Sequence, residues 1–218
     1  MITSTVENYL KALFLLDQNN EKQVATGELA KALNLTPGSV TTMIKTLAEA
    51  GLVNHRPHYG MKLTKSGRAL AVRVVRRHRI VELFLVKILA MDWGEVHAEA
   101  EQLEHVVSDV VIDRMDKLLG YPTFDPHGDP IPKADGSLPI RSLRQLSFCE
   151  NGEQVLIARI GDQDTTFLKF AENAGLTLGE KIKIINRNDI TDSITVQSRS
   201  QEIVLGLSAA GRIEVENA

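Results

Sequence analysis

The sequence predicts a mainly α-helical N-terminal part, opening on a winged helix-turn-helix, followed by a small all-β barrel. Three observations predict it. Segments with apolar residues three and four apart succeed one another from Thr3 to Leu119, broken only by short turns and one basic hairpin. A loop carrying Pro122, Pro126, Pro130 and Pro132 ends the helical pattern. Beyond Phe148 short runs rich in Ile and Val recur at close spacing, the pattern of a small barrel.

The first helix is read over residues 3–17. Val6, Tyr9, Leu10, Leu13 and Leu16 form its buried stripe, and Ser4 or Thr5 is its N-cap. Thr26 caps a short helix from Gly27 to Leu33. Thr36 caps the next, Pro37 takes its first position, and Gly51 stands just past its end near Ala50. Two such helices around a tight turn at Asn34-Leu35 make a helix-turn-helix candidate. Val40, Ile44 and Leu47 face inward. Ser39, Thr41, Thr42 and Lys45 are left outside, with Thr36 and Pro37 at the helix start, and suit phosphate and base-edge contacts in a major groove. Leu52-Val53 and Met61–Leu63 read as two strands around a turn at Pro57–Gly60. This is a wing, with Arg56, His58, Tyr59 and Lys62 available to DNA.

Thr64 caps a long helix from Lys65 to about Met91. Its first half is basic and its second half apolar all round, which calls for burial by a large surface such as the second subunit of a homodimer. His78 and Glu82, four apart, can present two ligands to one ion or pair with each other. The next helix is read as continuous from Gly94 to Leu119. At about 100° per residue, His97, Glu101, Glu104 and His105 fall within an arc of roughly 100° beside an apolar stripe. Imidazole and carboxylate suit Mn, Fe(II), Zn or Co; a solvated polar face would show the same spacing. Asp125-Pro126-His127 holds a carboxylate and an imidazole on a stiff backbone, as a metal clip or as an exposed turn. Residues 133–147 read as a linker. Strands are expected at 155–160, 181–185, 193–198, 202–205 and 212–216, with one helix from Thr165 to Asn173. Nothing in this part looks catalytic.

Charge is segregated. Residues 1–79 hold 12 Lys and Arg against 5 Asp and Glu, and residues 80–135 hold 4 against 12. A basic head on an acidic body fits an anion-binding part joined to a cation-binding part. The chain shows neither an apolar run of membrane length nor a cleavable signal pattern. Its one cysteine, Cys149, cannot form an internal disulfide, so a cytoplasmic protein without membrane contact is expected.

These residues together resemble the diphtheria-toxin-repressor family of metal-activated transcriptional repressors, in its manganese-responsive form. The likeness spans essentially the whole chain. It is carried by the winged helix, the stretch from His78 to Glu82, the stretch from His97 through Glu101, Glu104 and His105 to Asp109, and the Asp125-Pro-His127-Gly loop. The resemblance implies a winged helix-turn-helix over 1–70, a helical metal-binding and dimerisation domain over 71–140, and a FeoA-like, SH3-like barrel over 148–218. It implies two metal sites. One uses position 8 with Glu101, Glu104 and His105. The other uses Glu82, Asp125, His127 and a barrel residue, best matched by Asp162. His78 and His97 lie close to both. Iron-responsive members carry Cys where Glu101 stands, so the swap favours Mn(II), while leaving open whether Fe(II) also activates. Two departures stand out. Position 8 is Asn8 where the family has Asp or Met; its amide oxygen can bind Mn but brings no charge, so that site is expected to be weaker or to use Glu7 or water instead. Asp125 stands where some members have Cys. The expected protein is a dimeric repressor that binds operator DNA when Mn(II)-loaded and represses manganese uptake genes, and not an enzyme. The alternatives are a metal-independent winged-helix regulator and a metallohydrolase. The latter lacks a recognisable base or nucleophile beside the polar face.

Overall fold

The structure, a computed structural model, describes residues 3–17, 21–133, 135–161, 164–199 and 201–218. Its contacts group the chain into two compact units. The first comprises Met1–His78, Leu103–Ser108 and Pro132–Ser137. The second comprises Arg79–Gln102, Asp109–Ile131 and Leu138–Ala218.

The first unit contains α1 (Ser4–Leu16), α2 (Thr26–Ala32), α3 (Pro37–Glu49), β1 (Val53–Arg56), β2 (Gly60–Leu63) and the start of α4 (Lys65–Lys87). The local signals explain these elements. Thr36 Oγ1 accepts the Ser39 N–H at 3.3 Å, Pro37 opens α3, and Gly51 follows it at φ +70°. Strands β1 and β2 pair antiparallel from Val53–Leu63 to Arg56–Gly60. The core holds Leu10, Leu13, Phe14, Leu29, Val40, Ile44, Leu47 and Met61, all essentially inaccessible. Each such side chain contributes about 1.5–3 kcal/mol. Packing of α1 against α2 and β2, and of α3 against α2 and β1, makes the helix-turn-helix and wing one body.

Several expectations need correction here. Thr3, not Ser4 or Thr5, caps α1, accepting the Val6 N–H at 3.4 Å. Ala25, not Thr26, occupies the cap of α2, and Glu28 accepts its N–H at 2.9 Å. The α1 stripe includes Phe14 and a buried Lys11, whereas Val6 and Leu16 are only half-buried. Helix α4 stops at Lys87 instead of Met91. Ala90 turns left-handed at φ +52°, and the Met91 N–H returns to the Leu85 carbonyl, closing the helix end.

The largest correction concerns residues 94–119. They form two helices, α5 (Val96–Leu103) and α6 (Asp109–Leu118), not one. The Val106 and Val107 N–H groups both turn back to the Leu103 carbonyl, and Leu103–Ser108 belongs to the first unit. Glu104 is inaccessible there, held by Lys11 and His78. The β-branched pair Val106-Val107, followed by Ser108 as a capping residue type before Asp109, is where the chain leaves one helix and starts the next.

The second unit joins the end of α4, α5 and α6 to the C-terminal sheet. Its strands are β3 (Arg144–Gln145), β4 (Gln154–Ile160), β5 (Lys181–Asn188), β6 (Ser193–Ser198), β7 (Gln201–Gly206) and β8 (Ile213–Asn217). They run antiparallel in the order β3-β8-β4-β5-β6-β7, with register shifts within β4 and β5 that bend the sheet. Helix α7 (Thr165–Asn173) and the short α8 (Leu207–Ala210) complete a core of Val155, Ile157, Ile160, Leu168, Ile184, Val196 and Val215, with Cys149 inside it. The expected linker is thus partly strand. Two residues of β3 are too few to show a period, but Arg144 is anchored to Glu153 at 3.2 and 2.6 Å. Among the described residues no helix is long and apolar enough to cross a membrane.

Candidate metal centres and nucleic-acid surface

In the second unit, α4 presents Glu82 and the loop before Ile131 presents Asp125 and His127. All three are buried, and one ligand-type atom of each lies within 4.8 Å of the others. The loop is held from several directions. Asp125 Oδ1 accepts the N–H groups of His127 and Asp129 at 2.8 and 2.9 Å, which leaves Oδ2 turned elsewhere. The His127 carbonyl accepts the Ile160 N–H at 2.8 Å. Arg79 donates to the Pro130 carbonyl at 2.5 Å and lies 3.3 Å from Asp129 and 3.7 Å from Asp125 Oδ2. His127 Nε2 faces the Trp93 carbonyl at 3.4 Å, and the indole stacks on the imidazole at 5.3 Å. A proton on Nε2 leaves the Nδ1 lone pair toward Glu82 Oε2, 4.0 Å away. Nδ1 is buried with no hydrogen-bond partner.

Electrostatics give the same picture. Burial, then the carboxylates of Asp129 and Glu82, push the Asp125 carboxyl well above the usual carboxylate range, against a smaller lowering by Arg79. Burial pushes the His127 imidazole down, toward the neutral form that binds metal. Crowded carboxylates beside an unpartnered ring nitrogen form a costly arrangement that a divalent cation would relieve. The donor set therefore fits a metal. His97 adjoins it, donating from Nδ1 to Glu82 Oε1 at 3.0 Å, with Nε2 3.7 Å from Glu101. Asp162, the expected barrel ligand, lies outside the described residues.

Gly128 gives this loop its shape. It stands at φ +87°, and a Cβ there would meet the Ala158 carbonyl oxygen at 2.2 Å. Gly128→Ala is expected to cost about 1–3 kcal/mol and to displace Asp125 and His127. Urea denaturation would show the first effect and ion-binding stoichiometry the second. Retention of parental ion affinity would separate the loop's conformation from binding.

In the first unit, Glu104 divides its oxygens. Oε2 accepts from Lys11 Nζ at 2.7 Å and lies 2.5 Å from His78 Nδ1. Oε1 has no hydrogen-bond partner and faces His105 Nε2 at 3.5 Å. That nitrogen is likewise buried and without a hydrogen bond, as is Asn8 Oδ1. His105 Nδ1 donates to Glu7 Oε2 at 2.6 Å, and Arg77 stands 3.8 Å from Glu7 Oε1. The carboxylate on Nδ1 fixes the tautomer that leaves Nε2 available, the usual outer-shell arrangement of a ligating histidine. Glu7 is thus engaged in orienting His105, where the sequence suggested a substitute ligand. Three unpartnered donor atoms, on Asn8, Glu104 and His105, fit part of a metal site; Glu101, expected with them, is a residue of the second unit.

Sequence reasoning missed Lys11, Trp93, Arg79 and Asp129. Lys11 had a signal, being a lysine inside the Leu10, Leu13, Phe14 stripe. Trp93 is the only tryptophan.

On the proposed DNA face, Thr36, Pro37, Ser39, Thr42 and Lys45 are exposed, and so are Arg56, His58 and Tyr59 at the wing. Thr41 is half-buried, its hydroxyl donating to the Pro37 carbonyl at 2.8 Å. The Arg56 guanidinium lies 5.1 Å from the Tyr59 ring centre, and His58 turns the wing at φ +68°. Lys62 is placed differently from the expectation, donating to the Glu21 carbonyl at 2.7 Å.

Comparison with known proteins bears on both features. The family description "iron dependent repressor, N-terminal DNA binding domain" matches residues 1–61, "iron dependent repressor, metal binding and dimerisation domain" matches 64–133, and "FeoA domain" matches 144–217. The diphtheria toxin repressor of Corynebacterium efficiens is 30% identical over 224 residues, covering 98% of this chain and 96% of that protein. The iron-dependent repressor IdeR of Mycobacterium bovis is 35% identical over 131 residues, 60% of this chain and 56% of its own length. A solved manganese-dependent transcriptional repressor in complex with manganese is 39% identical at a TM-score of 0.89, covering 98% of this chain and all of that one.

Proposed function

We propose, for a chain that belongs to the diphtheria-toxin-repressor family of metal-dependent transcriptional repressors and is not an enzyme, that Mn(II) is the ion that activates it for operator binding. The donor set carries this reading. Asn8, Glu82, Glu101, Glu104, His105, Asp125 and His127 offer oxygen and imidazole nitrogen and no sulfur. Cys149 is enclosed in the C-terminal core. Such a set binds hard and borderline ions without rewarding those that prefer thiolate. The manganese complex of a similar repressor supports Mn(II). Similar structures with bound Cd and Zn, and the iron-dependent relatives, make ion choice the point to measure.

The bound ion would supply positive charge that neutralises the buried carboxylates and closes each donor set. In the first unit, Asn8 is on α1 and Glu104 and His105 are on the 103–108 segment. Because α1 packs on α2 and β2, fixing it constrains the body that carries α3 and the wing. The ion shifts the population only as far as it binds the DNA-competent arrangement more tightly. Thr36, Ser39, Thr42 and Lys45 would then meet the major groove and Arg56, His58 and Tyr59 the flanking backbone. Homodimerisation through the 71–140 domain is supported by apolar side chains left exposed there, Ile88, Leu89, Val110, Val111 and Leu118.

The test is operator binding followed by fluorescence anisotropy at fixed salt with Mn(II), Fe(II), Co(II) and Zn(II). The tightest operator binding by ion-saturated protein is expected with Mn(II), while Co(II) and Zn(II) should occupy the donor sets at lower free concentrations, as the general order of divalent-ion affinities requires. Affinity should fall by about 10³–10⁵ between 50 and 200 mM salt if six to ten phosphates are contacted. Binding that ignores metal, or that Zn(II) activates best, would defeat the manganese assignment.

A further inference from the structure

A lysine amine seldom lies in a protein interior without a specific partner, because its charge is costly to desolvate. Lys11 is 7% exposed, on the buried face of α1 between Leu10 and the core side chains Leu13 and Phe14. Its Nζ stands 2.7 Å from Glu104 Oε2 and 3.1 Å from His78 Nδ1. Glu104 is inaccessible, and its other oxygen, Oε1, has no hydrogen bond and faces the equally unpartnered Nε2 of His105. One carboxylate thus serves the Lys11 amine on one side and an open donor set on the other.

We propose that Lys11 acts as a built-in counter-cation that lowers the ion affinity of the Asn8–Glu104–His105 site and so sets the metal concentration at which the repressor responds. The proposal rests on reading Glu104 and His105 as metal ligands. The charge inventory supports it. Asn8 contributes an amide and no charge, Glu7 is already committed to His105 and Arg77, and Lys11 cancels Glu104. A divalent ion binding at Oε1 therefore meets a nearly neutral set of first-unit groups and a fixed positive charge across the same carboxylate. Lys11 also helps to orient Glu104, and losing that would weaken binding. His78 Nδ1 lies 2.5 Å from the same oxygen, so orientation survives without the lysine, whereas the ammonium charge is lost with it. The electrostatic effect should prevail.

The test measures Mn(II) binding to the full chain without DNA, by the electron paramagnetic resonance signal of free Mn(II). The variants are Lys11→Gln, which keeps a donor to Glu104 without charge, Lys11→Met, and Lys11→Arg, which keeps the charge. Thermal denaturation verifies that each is folded. Glu104→Gln identifies the ion equivalent in question by its loss. Lys11→Gln and Lys11→Met should bind that equivalent at least about tenfold more tightly, with Lys11→Arg near the parent. Operator binding should then begin at correspondingly lower Mn(II). If the neutral variants bind it no more tightly than the parent while Glu104→Gln still loses it, the counter-cation role is wrong and the metal site stands. If Glu104→Gln and His105→Ala both keep every ion equivalent at parental affinity, the site itself is misassigned and the proposal falls with it. Lys11→Gln alone decides the matter should Lys11→Met not fold.

Discussion

Glu104→Ala is expected to destabilise the metal-free protein by about 3–5 kcal/mol, the largest loss among single substitutions at the candidate sites. Glu104 is inaccessible, and its partners Lys11 and His78 are 7% and 4% exposed. Truncation would leave the Lys11 ammonium in a largely desolvated space beside His78 without the Glu104 carboxylate. That penalty exceeds anything recovered from removing the carboxylate, since water reaches neither partner readily. A loss of this size approaches half the stability of a typical domain. Urea denaturation of chelator-treated protein measures it. Glu104→Ala combined with Lys11→Met should recover a large part, because both members of the buried pair are then gone. A single-variant cost below about 1 kcal/mol would mean that the pair is hydrated and contributes no more than a surface bridge. His105→Ala offers a contrast. Its Glu7 partner keeps Arg77 nearby, so it should lose ion affinity with a smaller loss of stability.

The same buried pair marks the limit of what the sequence disclosed. Period and capping chemistry are local, and they led to α3 with its Thr36 cap and Pro37 start, to the β1–β2 wing, and to α7 with its bounds at Thr165 and Asn173. The break between α5 and α6 is only faintly announced. No Gly or Pro stands between Val96 and Leu118, and the local signals against one helix are the β-branched pair Val106-Val107 and Ser108, a capping residue type just before Asp109. The turn between the helices also carries the buried Glu104 with its partners Lys11, 93 residues earlier, and His78. The end of α4 at Lys87 is similar in kind, because an alanine adopts the left-handed turn that glycine would have announced. At the sites, the ligand types were visible as polar residues out of place. Their outer partners were not. Nothing in the sequence ties Trp93 or Arg79 to the Asp125-Pro-His127 loop that lies against them.

Glu82→Gln should behave oppositely in the absence of metal and lose a large benefit in its presence. Glu82 is 1% exposed and adds a like charge beside Asp125, whose carboxyl is already held well above its ordinary range by burial and neighbouring carboxylates. The metal-free chain can therefore relieve the repulsion by keeping a proton on Asp125. Removing the Glu82 charge relieves it a second way. The glutamine oxygen can still accept from His97 Nδ1, so no buried donor is orphaned. The expected change in metal-free stability is within about 1 kcal/mol, in contrast to Glu104→Ala. With metal the result differs. A donor set reduced from two carboxylates to one should lose about 100-fold or more in ion affinity, beyond what removal of an outer-shell partner costs. An ion at about 100 times its dissociation constant stabilises the folded chain by about 2.7 kcal/mol, and that increment should vanish for this site. Parallel urea titrations of the parent and Glu82→Gln, each with chelator and with Mn(II), measure both quantities. Equal stabilisation of the two proteins by Mn(II) would remove Glu82, Asp125 and His127 from the metal-binding groups. A large metal-free loss would instead make Glu82 a structural anion for His97, with the ion held elsewhere.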